Sequence, residues 1–462
     1  MERTLAINAS KKINEKILLK GWVNGIRNLG GIIFIDLRDR SGIVQCVGKN
    51  LSEVSVESVI EITGKTIKRL PSSINKKLGT GNIEVQIEKM EIISSAEEIP
   101  IPLNVDGYNI DEKIRNKYRY LDLRRSRMTR NIRVRSKIAN FMRQWLLARD
   151  FVEIETPILT KTTPEGARDF LIPSRLQPGK FYALPQSPQQ YKQLLMAAGL
   201  ERYFQIARCF RDEDPRHDRA YGEFTQLDIE MSFVVQEDIL QLTERLFTEL
   251  IAEIFPDKKI TGSPWPRIPY KEAIEKYNSD KPDLRKNKED KDELAFAWII
   301  DFPLFIKQTQ GDFFHGSGSA IFAPSHHMFT APHLDDIELL DKNPLKVRGL
   351  QYDMVLNGYE VGGGSIRIHN PKIQQKVFDL IGFTETQSAQ FEHMIAAFKY
   401  GVPPHGGIAP GVDRFAFVVL GEPTIREVIA FPTSASGQTA VMDAPSEATK
   451  KQLNELKIKL IK

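Results

Sequence analysis

Hydrophobic and polar residues alternate along the N-terminal part of the chain with the two-residue period of β-strands. Five such runs lie between Ile17 and Ile93, separated by turn residues that include Gly30-Gly31 and Ser41-Gly42. Five short strands predict a small β-barrel, and the OB-fold, a five-stranded barrel that binds oligonucleotides, is the best-known example. Another small barrel or a β-sandwich fits the same pattern.

The pattern changes after the last of these runs. Pro100 and Pro102 preclude a regular strand or helix and predict a stiff linker. Between Thr129 and Arg149 the spacing of one helical face predicts a long amphipathic helix with its apolar side formed by Ile138, Phe141, Met142, Trp145 and Leu146. We therefore place a first domain at residues 1–98, a linker at 99–128 and a second domain at 129–462.

Strand-like and helical stretches alternate in the second domain without the regular repeat of a doubly wound fold. The run FVEIETPILT is a strand interrupted by Pro157. The predicted class is α+β, with the second domain built on an antiparallel sheet flanked by helices. Charged residues dominate 281–293, which predicts a solvated loop, and leucines among lysines in 446–462 predict a final surface helix.

The composition is that of an ordinary globular protein, with 41% hydrophobic and 27% charged residues. No apolar run approaches the ~18 residues of a membrane span, and Met1 to Lys12 lacks the apolar core of a secretory signal, so we expect a cytoplasmic protein without membrane association. The spacing of Cys46 and Cys209 favours buried thiols over a disulfide or a zinc site. A net charge of +4 permits a polyanionic partner without requiring one.

The most informative segment for chemistry begins at Phe204. A strand ends at Arg211, a loop of alternating charges follows, and a second strand returns through Phe224 to Asp228. This hairpin presents an arginine, acids and an aromatic ring, which suit phosphate binding, hydrogen bonding to an amine and stacking on a base. It predicts a nucleotide site, with a salt-bridged surface hairpin as the alternative.

Two further segments are glycine-rich. The turn from Gly406 leads to Arg414 at the start of an apolar helix, which suits a phosphate but also an ordinary turn. Asp353 and Glu360 bracket a hairpin turn at Asn357-Gly358, where two carboxylates could hold Mg²⁺ or simply lie on the surface. The three glycines that follow indicate that something approaches the backbone closely.

With these segments the chain resembles the class II aminoacyl-tRNA synthetases, and among them the bacterial-type aspartyl-tRNA synthetases. The similarity extends over nearly all of the chain and includes TPEGARDF, QSPQQYKQLLM, YDMVLNGYEVGGGSIRIH and YGVPPHGGIAPGVDR. The strand around Pro157, the Arg211 hairpin and the turn at Gly411 to Arg414 resemble the family's motifs 1, 2 and 3. The resemblance implies an OB-fold anticodon-binding domain, a class II catalytic domain and a homodimer formed through motif 1.

The resemblance also implies the roles of individual residues. The ATP site would contain Arg211 at the α-phosphate, Glu213 at the adenine amine, Phe224 stacked on adenine, Arg414 at the γ-phosphate, and also Glu360, Gly411, Val412 and Asp413. Asp353 and Glu360 would bind Mg²⁺, and Arg211, Arg414 and Glu360 would be catalytic. The aspartate site would contain Glu165, Ser187, Gln189, Lys192, Arg211, Asp228, His326, His327 and Arg367. The anticodon contacts would be Arg27, Phe34 and Gln45.

Within the implied aspartate site, Lys192 and Arg367 would grip the side-chain carboxylate, and an amide in its place would leave both charges unpaired. Ser187, Gln189 and Asp228 would contact the α-amino end. The implied reaction has two steps: L-aspartate and ATP form aspartyl-adenylate, and aspartate then passes to the 3′ end of tRNA(Asp). Charging of tRNA(Asn) as well is left open.

The chain departs from the bacterial pattern at three places. The short stretch at residues 281–293 stands where bacterial members carry a large inserted domain between motifs 2 and 3. The motif 2 loop at residues 215–222 differs from the usual text, and Gly25-Ile26 stand where arginines are common. The loop difference predicts altered contacts to adenine and to the acceptor stem, and the difference in the barrel predicts fewer contacts to the anticodon or its stem.

Two other functions fit parts of the sequence. An asparagine synthetase of the class II fold would pass the adenylate to ammonia, but the N-terminal barrel argues against it. A non-catalytic RNA-binding paralogue would not need the two ATP arginines, the two metal acids or the pair Lys192 and Arg367. An asparaginyl or lysyl synthetase fits less well, because a carboxylate-gripping pair suits neither substrate.

Overall fold

The computed structural model describes residues 1–49, 51, 53–162, 166–308 and 321–461. They form two compact units, Met1–Pro102 and Leu103–Lys462. None of the described helices combines the length and the apolar character that crossing a membrane requires.

The first unit is a closed five-stranded barrel, which confirms the predicted OB-fold architecture. Its strands, paired in the order β1-β2-β3-β5-β4, are β1 (Lys16–Leu29), β2 (Ile32–Asp39), β3 (Gly42–Lys49), β4 (Val59–Lys68) and β5 (Ile83–Ser94). All pairings are antiparallel except that between β3 and β5. Short 3-10 helices lie at Ala6–Lys11 and Pro71–Ser73.

Alternation along the barrel strands separates the core from the surface. On β1, Ile17, Leu19, Gly21 and Val23 are buried, and the residues that alternate with them are more exposed. Gly64 on β4 lies so close to the next strand that a Cβ there would be 2.2 Å from the Gln86 carbonyl oxygen. The barrel thus has its own hydrophobic core, which includes Cys46 as a buried thiol.

The second unit contains helices around a large sheet. Its helices are α1 (Glu112–Lys117), α2 (Arg119–Asp122), α3 (Ser126–Leu147), α4 (Gln189–Ala197), α5 (Gln236–Ile254), α6 (Tyr270–Tyr277), α7 (Leu339–Lys342), α8 (Pro371–Leu380), α9 (Glu385–Ala389), α10 (Glu392–Phe398), α11 (Val412–Leu420) and α12 (Lys450–Glu455). Short 3-10 helices lie at Leu334–Asp336, Pro344–Lys346 and Ile425–Val428.

The strands of this unit are β6 (Val152–Glu153), β7 (Leu171–Pro173), β8 (Phe181–Ala183), β9 (Arg202–Arg211), β10 (Gly222–Ser232), β11 (Lys259–Thr261), β12 (Arg267–Pro269), β13 (Glu293–Ile300), β14 (Phe305–Lys307), β15 (Phe322–Pro324), β16 (Gln351–Leu356), β17 (Tyr359–Ile366) and β18 (His405–Pro410). The main sheet has the order β11-β13-β16-β17-β18-β10-β9-β6, and β12 also pairs with β13. From β13 to β9 every pairing is antiparallel, which confirms the predicted α+β class, whereas the pairings of β6, β11 and β12 are parallel.

The predicted amphipathic helix is α3, and its apolar face packs into the main core with α5 and α11. A buried charge cluster holds the segment before it. Asp122 is fully buried and accepts hydrogen bonds from Arg115, Arg119 and Arg125 at 2.6 to 3.2 Å. A buried carboxylate with three guanidinium donors orders this approach to α3 more than it adds net stability.

Two local predictions differ from the structure in extent. The strand around Pro157 is limited to β6, which ends at Glu153. The predicted terminal helix is the six-residue α12. The charged stretch has no helix or strand before β13, as expected for a loop, although Asp283 packs against the turn at Gly358 and pairs with Arg285 at 2.7 Å.

Candidate active site

A cavity of about 270 Å³ lies in the second unit over the strands β9, β10, β17 and β18 and the first turns of α4 and α11. Its walls come from segments far apart in sequence, because antiparallel pairing places β10 between β9 and β18. Its lining residues are Ser187, Gln189, Lys192, Arg211, Glu213, Asp218, Arg219, Ala220, Phe224, Thr225, Gln226, Asp228, His326, His327, Glu360, Val361, Gly362, Gly363, Gly364, Arg367, Ala409, Gly411, Asp413, Arg414 and Ile425.

One end of the cavity holds four buried charged residues, here called the quartet: Lys192, Asp228, Glu230 and Arg367. Lys192 Nζ lies 2.7 Å from Asp228 Oδ1 and 3.4 Å from Glu230 Oε2. Arg367 donates to both oxygens of Glu230, at 2.9 and 3.1 Å. Each of the four is at most 3% exposed. The quartet therefore carries two positive and two negative charges in direct contact.

The two acids of the quartet respond differently to burial. Burial raises the pKa of Asp228, and Lys192 offsets this only in part. Burial also acts to raise the pKa of Glu230, but Arg367 and Lys192 outweigh it and hold that pKa below its ordinary value. Asp228 Oδ2 is buried without a hydrogen-bond partner among the described residues. The Tyr203 hydroxyl donates to Gln205 at 2.9 Å and lies near enough to Asp228 for that carboxylate to help burial raise the pKa of Tyr203.

The other end of the cavity contains Arg211 and Arg414, here called the arginine pair. Arg211 donates to the Gln186 carbonyl oxygen at 3.4 Å and makes no ion pair within the described part of the chain. Arg414 donates to the carbonyl oxygens of Glu360 and Asp218 at 2.8 and 3.1 Å. Its contact with a described carboxylate is long, 3.9 Å to Asp218. Main-chain carbonyls orient both guanidinium groups but leave their charges largely uncompensated.

Phe224 and Glu213 lie beside Arg211, as the predicted nucleotide site requires. The Arg211 guanidinium lies 5.1 Å from the centre of the Phe224 ring. Glu213 lines the cavity, but its carboxylate is paired with Arg219 at 2.7 Å. A contact between Glu213 and an amine of a ligand would therefore be shared with, or exchanged for, this ion pair.

The glycine-rich turn is the end of β18 and the start of α11. Gly411 precedes the first helical residue, Val412, which is buried in the core rather than in the cavity wall. Asp413 is also buried and accepts from Arg135 at 2.5 Å and from the Thr225 amide at 2.9 Å. These bonds tie α11 to α3 and to β10, and they set the position from which Arg414 enters the cavity.

Asp353 and Glu360 lie on the hairpin of β16 and β17, as predicted. The turn residue Asn357 and the following Gly358 have φ of 51° and 87°, which suit a tight two-residue turn. Burial and the negative charge of Glu360 raise the pKa of Asp353 well above its ordinary value. Asp353 Oδ1 is buried without a hydrogen-bond partner among the described residues, 3.7 Å from His326 Nε2.

The three glycines of β17 are explained by close neighbours. A Cβ at Gly363 would lie 2.9 Å from both Asp353 Oδ1 and His326 Nε2. One at Gly362 would lie 2.9 Å from Pro410 Cα, and one at Gly364 would lie 2.1 Å from the Gly407 carbonyl oxygen. Any larger residue would displace Asp353 and His326 or the adjacent strand. His327 Nε2 is also buried here without a described partner, and burial lowers the pKa of His327 well below its ordinary value.

The cavity brings together most of the predicted site residues. Asp353 lies behind Gly363, Val412 lies in the core, and Glu165 lies outside the described residues. Sequence reasoning missed Glu230 as the partner of Arg367. Its position two residues after Asp228 on β10 was the available signal, since alternate strand residues share a face.

The three residues predicted to contact the anticodon are neighbours on the barrel of the first unit. Arg27 on β1 is the cross-strand neighbour of Phe34 on β2. Arg27 donates to Asp36 and to Gln45 at 3.2 Å, which places a partly exposed cation, a ring and an amide on one surface.

Two family models match the chain. One, described as tRNA synthetases class II (D, K and N), matches residues 111–435, and another, described as an OB-fold nucleic acid binding domain, matches residues 17–93. They correspond to the second and first units, respectively.

Curated relatives cover the chain almost from end to end. The aspartate–tRNA(Asp/Asn) ligase of Thermoanaerobacter pseudethanolicus is 39% identical over 583 residues, covering 97% of this chain and 96% of that protein. The aspartate–tRNA ligase of Staphylococcus saprophyticus is 37% identical over 582 residues, covering 97% of each. Both alignments are longer than the 462-residue chain. The relatives therefore contain internal residues that this chain lacks, as the prediction of a missing insertion requires.

Solved structures share the fold. Asparaginyl-tRNA synthetase from Pyrococcus horikoshii, complexed with asparaginyl-adenylate, has a TM-score of 0.75 at 24% identity, covering 94% of this chain and 98% of that one. Aspartyl tRNA synthetase from Entamoeba histolytica has a TM-score of 0.71 at 22% identity, covering 93% and 91%. At these identities the likeness establishes only the fold. Together with the family match, it confirms the predicted resemblance: the chain belongs to the class II tRNA synthetases (D, K and N).

Proposed function

We propose that the chain is an aspartate–tRNA ligase, which activates L-aspartate with ATP and transfers it to the 3′ end of tRNA. The quartet is the observation that carries this assignment. It presents Lys192 and Arg367 for the side-chain carboxylate of the substrate and the unpartnered Asp228 Oδ2 for its α-ammonium group. The curated relatives that match the whole chain are named as ligases of this kind, which supports the same conclusion.

Discrimination against asparagine follows from the charges of the quartet. Without substrate the four charges cancel, so the substrate carboxylate supplies a negative charge that Lys192 and Arg367 attract. An amide supplies no charge and brings N–H donors toward groups that are themselves donors. Sites built for one hydrogen-bonding pattern reject the wrong analogue strongly because buried polar groups are left unpaired.

The arginine pair is suited to the triphosphate of ATP. Arg211 would lie at the α-phosphate and Arg414 at the γ-phosphate, with adenine against Phe224. The α-carboxylate oxygen of aspartate attacks the α-phosphorus, the new C–O–P link forms, and the bond to the departing pyrophosphate breaks. Fixed positive charges stabilise the charge that moves toward the pyrophosphate, and no side chain becomes a covalent nucleophile.

Asp353 and Glu360 fit a bound Mg²⁺. Their carboxylates are close enough for Glu360 to raise the pKa of Asp353, and Asp353 Oδ1 has no described hydrogen-bond partner. Among the described residues no three acids, histidines or cysteines form a complete metal cage. Two carboxylates completed by substrate phosphates are typical of Mg²⁺, which would supply charge neutralisation at the phosphates.

In the second step the terminal ribose hydroxyl of tRNA attacks the adenylate carbonyl carbon and AMP leaves. The barrel would hold the anticodon through stacking on Phe34 and hydrogen bonds from Arg27 and Gln45. Relatives named aspartate–tRNA(Asp/Asn) ligase and relatives named aspartate–tRNA ligase cover the same share of the chain. Charging of tRNA(Asn) must therefore be measured. A homodimer, a place for Glu165 in the aspartate site and a cytoplasmic location stay predictions.

The test is a charging assay with radiolabelled aspartate and purified transcripts of tRNA(Asp) and tRNA(Asn). We expect aspartyl-tRNA(Asp) to form, and asparagine in the same assay to give no product. Failure to charge either transcript would contradict the proposal. Formation of free asparagine from aspartate, ATP and ammonia, without charging, would instead identify an asparagine synthetase.

A further inference from the structure

A chain of buried hydrogen bonds runs behind the cavity from β18 to α4. The His405 imidazole is completely buried, with Nδ1 2.8 Å from the Pro403 carbonyl oxygen and Nε2 3.2 Å from the Gln193 amide nitrogen. The Gln193 side-chain oxygen accepts from the amide nitrogen of Gln189 at 3.0 Å. Gln189, at the other end of the chain, lines the cavity.

The chemistry of each atom sets the direction of the chain. A carbonyl oxygen can only accept, so His405 Nδ1 carries a hydrogen. The Nε2 of a neutral ring is then an acceptor, and Gln193 must donate to it with its amide nitrogen. The oxygen of Gln193 therefore faces Gln189 and takes the hydrogen of its amide nitrogen. Gln189 is left with its oxygen turned away from Gln193, in a defined orientation.

The surroundings keep the ring neutral. Burial lowers the pKa of His405 and outweighs the opposing effects of the Glu230 charge and of the hydrogen bond to the Pro403 carbonyl. The positive charges of Arg367 and His369 act in the same direction as burial. The ring edge also packs against Phe398, with 6.0 Å between ring centres. A doubly protonated ring would present Nε2 as a donor to the Gln193 nitrogen, and the whole chain would have to reverse.

We propose that His405 is a positioning residue for the amino-acid substrate. In its Nδ1–H tautomer it orients Gln193, which holds the side-chain oxygen of Gln189 toward the cavity as an acceptor for the α-ammonium group. That oxygen and Asp228 Oδ2 then provide two acceptors for the ammonium hydrogens. The proposal rests on the proposed function, since it takes the substrate to be an amino acid.

Two substitutions of His405 separate its two nitrogens. His405→Gln keeps an oxygen acceptor near the position of Nε2, whereas His405→Asn keeps a donor near Nδ1 and loses the acceptor. In aspartate-dependent ATP–pyrophosphate exchange we expect His405→Asn to raise the KM for aspartate about tenfold, with kcat and the KM for ATP changed less than about twofold. His405→Gln should stay within about threefold of wild type. Equal effects of both variants, or a parallel rise in the KM for ATP, would overturn the proposal.

A second variant tests whether the residues act in one chain. Gln193→Leu should raise the KM for aspartate as much as His405→Asn does, and the double variant should be no worse than either single variant. Multiplicative effects would show that the two side chains act independently and would contradict the proposal. Phe398→Leu is the control: it disturbs the packing of the same ring, so it should lower the melting temperature and leave the KM for aspartate unchanged.

The tautomer can be read in the wild-type protein even if a variant does not fold well. Long-range ¹H–¹⁵N spectra of histidine-labelled protein should show His405 in the neutral Nδ1–H form, the signal being assigned by its loss in whichever His405 variant folds. An Nε2–H tautomer or an imidazolium would sink the proposal. Wild-type protein that shows the expected tautomer but does not activate aspartate would instead contradict the proposed function.

Discussion

The quartet and the arginine pair each place two cations in one cavity, but the surrounding residues compensate these charges in different ways. Lys192 and Arg367 are buried against carboxylates at 2.7 to 3.4 Å. The guanidinium groups of Arg211 and Arg414 are held mainly by main-chain carbonyl oxygens. Carbonyl dipoles orient a cation without cancelling its charge, whereas a carboxylate does both. One end is therefore a neutral, rigid set of ion pairs, and the other presents two guanidinium groups that no described carboxylate approaches closer than 3.9 Å.

This difference matches the two ligands that we propose. The triphosphate of ATP carries several negative charges, so positive charges at the arginine pair attract it without fine discrimination at the phosphates. Aspartate differs from asparagine only in having a side-chain carboxylate instead of an amide, so the site must distinguish the two by the positions of its charges and hydrogen-bonding groups. The sequence suggested that an amide would leave two charges unpaired, but Glu230 keeps Arg367 paired in either case. Selectivity then depends on the missing charge and on mismatched donors.

The largest effect should come from breaking the quartet. Arg367→Ala leaves Glu230 buried without its bidentate partner and removes one of the two cations for the substrate. We expect kcat/KM for aspartate in the exchange reaction to fall about a thousandfold and the free energy of unfolding to fall by about 3–5 kcal/mol. Unchanged exchange would exclude a role for Arg367 in recognising the substrate.

A double variant separates these two losses. Arg367→Met combined with Glu230→Gln removes both charges at similar volume, so stability should recover toward that of wild type while activity should not. Recovery of activity along with stability would mean that Arg367 acts only through the fold.

Substitution in the arginine pair should reduce activity strongly but stability only slightly. Arg414→Ala should lower kcat for exchange about a hundredfold, because a fixed charge at the phosphates is lost. Its melting temperature should stay close to that of wild type, since water can replace a partly exposed guanidinium at two carbonyl oxygens. Arg414→Lys is the matched control and should recover part of the activity. A loss of stability as large as that of Arg367→Ala would erase the distinction between the two ends.

The contribution of Glu230 to the free energy of unfolding should depend on pH, with a sign that its pKa shift defines. The pKa of Glu230 in the folded protein lies below its ordinary value. In the unfolded chain the pKa of a glutamate is about 4.3. Its contribution is therefore fully present above about pH 4.3 and is lost as the pH falls through the lower folded value. In urea unfolding, the advantage of wild type over Glu230→Gln, about 3 kcal/mol at neutral pH, should shrink below about pH 4. An advantage that grows as the pH falls would contradict the assigned direction.

The sequence pattern alone was sufficient to predict several elements of the fold. Strand alternation predicted the barrel, helical spacing predicted α3, and the Asn357-Gly358 turn predicted the hairpin that carries Asp353 and Glu360. Each depends on local periodicity or on turn chemistry, which a single sequence contains.

The partners inside the cavity could not be predicted in the same way. Glu230 contacts Arg367 because β10 and β17 both flank β18, and His405 reaches Gln193 because β18 lies near α4. These neighbours are more than a hundred residues apart and depend on the order of strands in the sheet. Residue types and spacing therefore indicated which ligands the site takes, but not how its own charges compensate one another.

Ionic strength should affect the two ends of the cavity differently, and the expected changes in KM are smaller than the effects of the substitutions. Raising KCl from about 50 to about 500 mM shortens the Debye length from about 14 to about 4 Å. The arginine pair attracts ATP partly from a distance, so the KM for ATP should rise several-fold at constant free Mg²⁺. The KM for aspartate should change less than about twofold, because the quartet is buried and has no net charge. Arg414→Gln should flatten the dependence for ATP alone. If both KM values rose in parallel, the quartet would carry an uncompensated charge, and the contrast between ion-paired cations and cations held by main-chain carbonyls would fail.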